Sequence, residues 1–443
     1  PYDQNGRLVP KGIGIGKDAH TYDPYKTFFV NGWVNQQHLS VKGGSQLLLY
    51  YLSLGHVKES GIAPGATYER SSAKGVFEFN PHEKLSIRLM PTVAMAKAIR
   101  MKKGSLLSGI PLALFRSPNT FDLGNGLSGH EAAKTPSVYE LSNGEQRAYR
   151  ANGSYDNPFW AINHNPYQDK VVRSIQQMSI DYALGPGLSL TYRIGADHYT
   201  DRRKDAFDIY SGSHPSGLLK WTDIRFLQFN SGLLVNWKKQ LNKKWKLSAT
   251  LGHDYYQSRM NVEETEGDEL QQPGVFILSN AFQLSLEEAV FQKKIAGVFA
   301  DIHLDYHNRL FLNFSGRNDW SSTLPQHNNS FFYPGIHIGL DMTPWLKRIP
   351  KLVYSKFRIS YSTTGNDAST YLTDTYFSAA SIDGDDLLPD LNFPAFGITA
   401  FERSTTLGND NLRPERAHNF EIGSELKWWD SRLNLNLTWY KAI

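Results

Sequence analysis

Three short stretches gather the side chains that could do chemistry. The first, "DGDDLLPD", puts Asp383, Asp385 and Asp386 at spacings a Ca²⁺ ion could use. It lacks the full Asp-x-Asp-x-Asp-Gly…Glu order of a calcium loop, so the ordinary reading is a solvated acidic loop. The second, "YDNPFW", sets Tyr155, Phe159 and Trp160 beside an amide and a carboxylate. Such a group suits a sugar ring, whose C–H face stacks on an aromatic while its hydroxyls hydrogen-bond; it equally suits a loop packed on its own side chains. Trp221 carries the same two readings. The third, "RNDWSS", sets Arg317, Asn318, Asp319 and Trp320 where a strand enters a loop. Asp319 and Trp320 would either contact a polar ligand at a channel mouth, or Arg317 and Asp319 would pair to fix the loop while Trp320 sits at a membrane interface.

Nothing in the chain points to catalysis. There is no Gly-x-Ser-x-Gly elbow, no His-Glu-x-x-His and no glycine-rich phosphate loop. With no Cys, a disulfide framework, a thiolate metal site and a thiol nucleophile are all excluded. No enzyme activity and no cofactor is expected. The net charge of +4 is spread along the chain without a basic block, so no nucleic-acid partner is expected. No apolar run approaches the roughly 18 residues of a helical span.

The elements that must position these residues are strands. Leu433, Leu435, Leu437 and Trp439 alternate with Asn434, Asn436 and Thr438. The same period of two runs through Leu188, Leu190 and Ile194 against Ser189, Thr191 and Arg193. It recurs in Leu247 and Leu251 against Thr250, in Val298 and Ile302 against Asp301, and in Ile359 and Ile422 against Ser360 and Glu421. Short connections at 185–186, 241–244, 307–308 and 430–431 alternate with long ones at about 100–170, 201–223, 258–290, 319–330 and 365–414. That asymmetry, with aromatics at strand ends, predicts an outer-membrane barrel with short periplasmic turns and long external loops. About thirteen or fourteen strands are expected. The aliphatic sets would face lipid and the polar sets the lumen.

Four longer stretches go beyond periodicity: "LSVKGGSQLLLYYLSLGHVKESGI" at 39–62, "GRNDWSSTLP" at 316–325 followed by "FFYPG", "KFRISYSTTGND" at 356–367, and "NLRPERAHNFEIGSELKWW" at 411–429. Together, in this order, they resemble the SusC/RagA family of TonB-dependent outer-membrane transporters of Bacteroidetes. The resemblance implies an all-β fold, a transmembrane antiparallel up-and-down β-barrel of which this sequence carries part of the expected ~22 strands. It also implies a plug domain that is not recognisable here. Residues 1–36 would lead into the barrel and 37–443 would form its first part; Pro1 and the strand pattern running to Ile443 read as cut ends. The function implied is active import of a bulky polar nutrient, glycan or oligopeptide, with a SusD-like surface lipoprotein as lid and TonB as energy source. The aromatic candidates above would then lie near substrate or lid. A passive porin, or a structural or adhesive barrel, is the alternative.

Overall fold

The computed structural model describes residues 4, 7, 9–10, 20–104, 107–149, 155–382 and 391–443. A short helix, α1 (Pro24–Phe28), precedes β1 (Trp33–Gly44), β2 (Leu48–Ser60) and β3 (Thr67–His82). Then come β4 (Leu85–Leu89) and β5 (Thr92–Arg100), and an excursion holding α2 (Ile110–Arg116), α3 (Gly129–Lys134) and α4 (Pro158–His164). The central strands are β6 (Tyr167–Gly185), β7 (Leu188–Ile209), β8 (Ser216–Gln240), β9 (Trp245–Leu270) and β10 (Ala281–Tyr306). They are followed by β11 (Leu310–Ser321), β12 (Ser330–Asp341) and β13 (Leu352–Asn366). Four short pieces, β14 (Phe377–Ala379), β15 (Ser381–Ile382), β16 (Leu391–Asn392) and β17 (Phe401–Arg403), pair among themselves in a loop before β18 (Glu415–Trp428) and β19 (Leu433–Ala442).

One 15-stranded antiparallel sheet contains all the long strands in chain order, with β1 and β19 as its edges. β4 and β5 share one place between β3 and β6. The break falls at Met90-Pro91, where proline cannot donate to the ladder; Pro91 still accepts from the Gly75 N–H at 2.8 Å. Counted as one stave, they leave fourteen, as the sequence periodicity predicts.

Register keeps the two faces apart across the wall. Leu190, Val235, Leu251 and Ala300 stand in one rung, and Thr191, Leu234, Gly252, Phe299 and Arg317 in the next. All the aliphatic residues assigned to lipid share the first parity, and all the polar ones assigned to the lumen share the second. A cavity of about 1000 Å³ spans β4 to β11 over Arg88, Ser179, Arg193, Asp254 and Arg317, which makes the polar face the concave one. Leu251, Val298, Ile302 and Leu437 project from the other face and are exposed, as lipid-facing groups would be without lipid.

The antiparallel order places the turns at 45–47, 83–84, 186–187, 241–244, 307–309, 342–351 and 429–432 at one end. His307 and Asn308 both take positive φ (58° and 54°), the conformation of a tight two-residue hairpin matched to strand twist. At the other end, two expected loops are strands instead. β7 runs on to Ile209 and β8 starts at Ser216; β9 runs on to Leu270 and β10 starts at Ala281. The loop expected at 319–330 shrinks to 322–329. The reason lies in the environment. Beyond the bilayer both faces of a sheet are wet, so alternation of hydrophobicity is lost and a charged strand reads as a loop. Its charges are cross-strand pairs: Arg202–Asp223 at 3.4 Å, Arg225–Glu263 at 2.9 Å, and Lys220 with Glu264. Some 26 residues of β10 reach roughly 85 Å at ~3.3 Å per residue, whereas about 9–11 suffice to cross a membrane. The wall therefore rises well beyond the lipid.

The excursion from 101 to 166 is not a bare loop. Phe28, Ile110, Leu114, Leu123, Val138, Phe159 and Trp160 form a closed apolar core at the external end. α1 belongs to it: Phe28 and Phe159 rings lie 5.2 Å apart. Phe28 and Phe29 of the expected 1–36 connection thus pack on the external cap, and strand begins at Trp33.

Candidate functional site

The concave face carries a charged centre built by the "RNDWSS" stretch. Strand alternation turns Arg317 and Asp319 inward together. Arg317 donates to Asp319 at 2.9 Å through Nε and to Asp254, across on β9, at 2.7 Å through Nη1. Its guanidinium lies 5.4 Å from the Phe299 ring centroid. Two glycines make room. A Cβ on Gly297 would strike both Arg317 and Asp319, and one on Gly252 would strike the Phe299 ring.

At the outer end of the same strands the motif stretches interlock. Asp367 accepts from Lys293 Nζ at 2.5 Å, Ser321 Oγ at 2.5 Å and Thr323 Oγ1 at 3.1 Å. Burial alone would raise the Asp367 carboxyl, but these three donors outweigh it and hold it below the usual carboxylate range. Tyr333 of "FFYPG" lies against Gly365 of "STTGND". Leu324, Phe331 and Tyr333 pack with Leu412 of "NLRPER". The spacing that looks like a recognition signature in sequence is, in space, one brace across β10 to β13 and the loop that follows.

The six aromatic and acidic candidates separate. Phe159 and Trp160 are fully buried in the external core, Trp160 stacked on His164 at 4.6 Å. Tyr155 lies 5.9 Å from the Arg116 guanidinium. Trp221 is half-buried on the outer face, with Arg202 4.8 Å from its ring. Trp320 is exposed on the outer face too, one residue from Asp319, which faces the lumen. Asp319 is thus the single member of the set on the concave wall. Asp383, Asp385 and Asp386 lie outside the described residues; among the described ones no group of three His, Asp or Glu is poised to hold a metal.

Sequence reasoning missed the polar joint that fixes the external cap. Asp156 is buried and accepts from Gln146 at 2.8 Å, Asn165 at 3.0 Å, Ser211 at 3.1 Å and the Gly212 N–H at 2.6 Å. Asp208, also buried, meets His164 Nδ1 at 2.8 Å and accepts the Gly274 N–H at 2.8 Å. Three connections are thereby tied together. A signal was present in "DNP": Asn157 caps α4, accepting from the Phe159 N–H at 2.9 Å, with Pro158 in the first turn.

A wall of this kind, with a polar concave face, a lipid-facing aliphatic face and strands rising far outside, has close counterparts. The family described as TonB dependent receptor-like, beta-barrel, matches residues 111–442. The chain belongs to that family. It is 22% identical over 428 residues to TonB-dependent receptor P39 of Formosa agariphila, covering 92% of this chain and 37% of that protein. It is likewise 22% identical to TonB-dependent receptor P26 of the same organism, covering 91% and 39%. The chain therefore spans well under half the length of these relatives. Among solved structures, the RagAB peptide transporter superposes with a TM-score of 0.76 at 20% identity over 95% of this chain and 45% of that one. The siderophore receptor PiuA of Acinetobacter baumannii superposes at 0.52 with 11% identity. The SusC/RagA resemblance of the sequence motifs agrees with these matches. This is an outer-membrane β-barrel of a receptor and transporter family, not of an enzyme class.

Proposed function

We propose that residues 37–443 form part of the barrel of an active importer for a bulky polar nutrient, a glycan or an oligopeptide, with residues 1–36 leading into it. A SusD-like lipoprotein closes the mouth and TonB supplies the energy by acting on a plug. The observation that carries this reading is the height of the wall. β7 to β10 rise far beyond the bilayer and meet a packed external cap, a build that a simple diffusion pore does not require. Such a rim offers an area on which a lid protein can seat and a chamber in which cargo can be held while the lumen opens. Asp319 with Arg317 lies on the path below that chamber; Tyr155, Phe159, Trp160 and Trp221 brace the rim beneath the lid, and Trp320 sits on the outer face at the external membrane interface.

The test is uptake and composition. Cells carrying the full-length protein should lose import of a bulky nutrient when TonB is removed, and mild-detergent purification should yield a second, lipidated chain in fixed stoichiometry. Uptake that persists without TonB, or a barrel that purifies alone and imports without any surface lipoprotein, overturns the reading in favour of a passive or adhesive barrel.

A further inference from the structure

The concave wall changes character just above the membrane. Phe291 lies fifteen residues from Tyr306, near the short-turn end of β10. That is roughly 50 Å along the strand and about 35 Å in height at 45° tilt, beyond an apolar band about 25 Å tall. At this level one rung reads Tyr199, Phe226, Met260 and Phe291 across four strands. Tyr199 and Phe226 are stacked with centroids 5.0 Å apart. The next inward rung reads Asp201, Ile224, Val262 and Ala289. A two-rung apolar band thus lies on the concave face above the lipid, with Tyr371 of the loop after β13 6.4 Å from the Phe291 ring. On the lipid side such residues would be ordinary; here they are not.

Charge frames the band unevenly. In the third rung Glu264 stands directly opposite Glu287. Like charges placed so are destabilising. Lys220 pairs with Glu264 and with Glu266 at 3.5 Å; Glu287 has no ion pair among the described residues. One ammonium therefore serves two carboxylates and leaves the third, Glu287, unanswered. Independently, Asp201 in the second rung is nine-tenths buried, and its Oδ1 has no hydrogen-bond partner, because Arg203 engages only Oδ2. An unanswered buried acceptor calls for a donor.

We infer that this band is a cargo subsite for an oligopeptide segment in which an apolar side chain neighbours a Lys or Arg. The apolar side chain lies on Phe226, Met260 and Phe291, and the cation meets Glu287; the spare Asp201 oxygen, three strands away on β7, is left for a backbone N–H of the same segment. A glycan fits the same surface poorly. Its hydroxyls would face Ile224, Val262 and Ala289, which offer nothing to bond, and it carries no cation for the rim. The inference rests on the importer reading above and selects one of its two cargo classes.

The experiment is equilibrium binding to the full-length protein in detergent, which needs no TonB. The probes are a synthetic Leu/Phe/Lys octapeptide, the same peptide with Lys replaced by Gln, and maltoheptaose. Assembly of each variant is checked by heat-modifiable migration. The F226A and F291A variants should each weaken both peptides by about tenfold, the size of a strong contact residue. E287Q should weaken the Lys peptide several-fold and leave the Gln peptide unchanged, a split that a merely structural role does not produce. Maltoheptaose should bind weakest and be indifferent to all three. Unchanged peptide affinity in assembled F226A and F291A, an E287Q effect equal on both peptides, or maltoheptaose binding tightest would each overturn the subsite. Peptide binding that behaves as expected in cells that import nothing would instead count against the importer reading alone.

Discussion

Glycines on the concave face are what let large side chains lie flat against the wall. Phe299 sits directly opposite Gly252, where a Cβ would collide with the ring. An aromatic covering a cross-strand glycine pins register. Gly252→Ala should therefore cost about 1–3 kcal/mol through overpacking and disturb the neighbouring Arg317 ion pairs, seen as a lower midpoint for loss of heat-modifiable migration. An unchanged midpoint would mean that the ring moves freely. Asp367 is the other residue whose environment makes a prediction. Its carboxyl titrates lower when folded than when unfolded, so the brace it forms is fully present above the unfolded value near ~3.9 and is lost as pH falls through the lower folded value. Protease cleavage between 367 and 414 should rise steeply only in that acid window. Asp367→Asn, which removes the charge that Lys293 answers, should show the cleaved pattern at neutral pH as well. None of this was visible at residue scale in the sequence. "RNDWSST" and "TTGND" stand out as motifs, but their meeting through Ser321, Thr323 and Asp367 spans 44 to 46 positions and needs the fold.

At the scale of elements, legibility followed solvent. Where one face met lipid and the other water, a period of two marked β7, β9, β10, β13, β18 and β19 and set their aliphatic and polar residues on opposite faces; Leu435 and Asn436 in β19 are as readable as Leu190 and Thr191 in β7. Above the bilayer the same strands become two-sidedly polar, as in 201–205 and 263–268, and the pattern disappears although the pairing does not. The aromatics of "YDNPFW" were ambiguous for a related reason: stacking on a ligand and packing in a small helical core demand the same residue types, and the burial of Phe159 and Trp160 decides for the core. The face assignment has a direct energetic consequence. Leu251 is exposed on the lipid side, six residues from Trp245 at the short-turn end of β9, which puts it near mid-bilayer. Leu251→Arg should cost roughly 2–4 kcal/mol of barrel stability in a bilayer, while Thr250→Arg, one residue away and facing the lumen, should cost far less. Equal losses measured by reversible unfolding into denaturant would mean that the two faces are not lipid and water.

At the scale of the molecule, the largest apolar core among the described residues lies outside the membrane, because a wall one sheet thick encloses little apolar volume of its own. Phe28, Ala63 and Trp160 come from three separate parts of the chain to build it. What makes that cap one body with the wall is the buried polar joint. Asp156 links the 101–166 excursion to the β7–β8 tip, and Asp208 links α4, through His164, to the β9–β10 tip, through Gly274. Buried acceptors used this fully are costly to disturb, since each abandoned donor is left without water; the penalty is about 1–3 kcal/mol per group. Because one carboxylate holds both, Asp208→Ala should loosen two segments far apart in sequence by the same act. Amide hydrogen exchange should speed up together around 158–165 and around 271–276, while 297–306 in the membrane band keeps its protection. Acceleration confined to 158–165 would show that the β9–β10 tip is held by its own packing, and that the external connections respond to a lid or to cargo one at a time instead of as a unit.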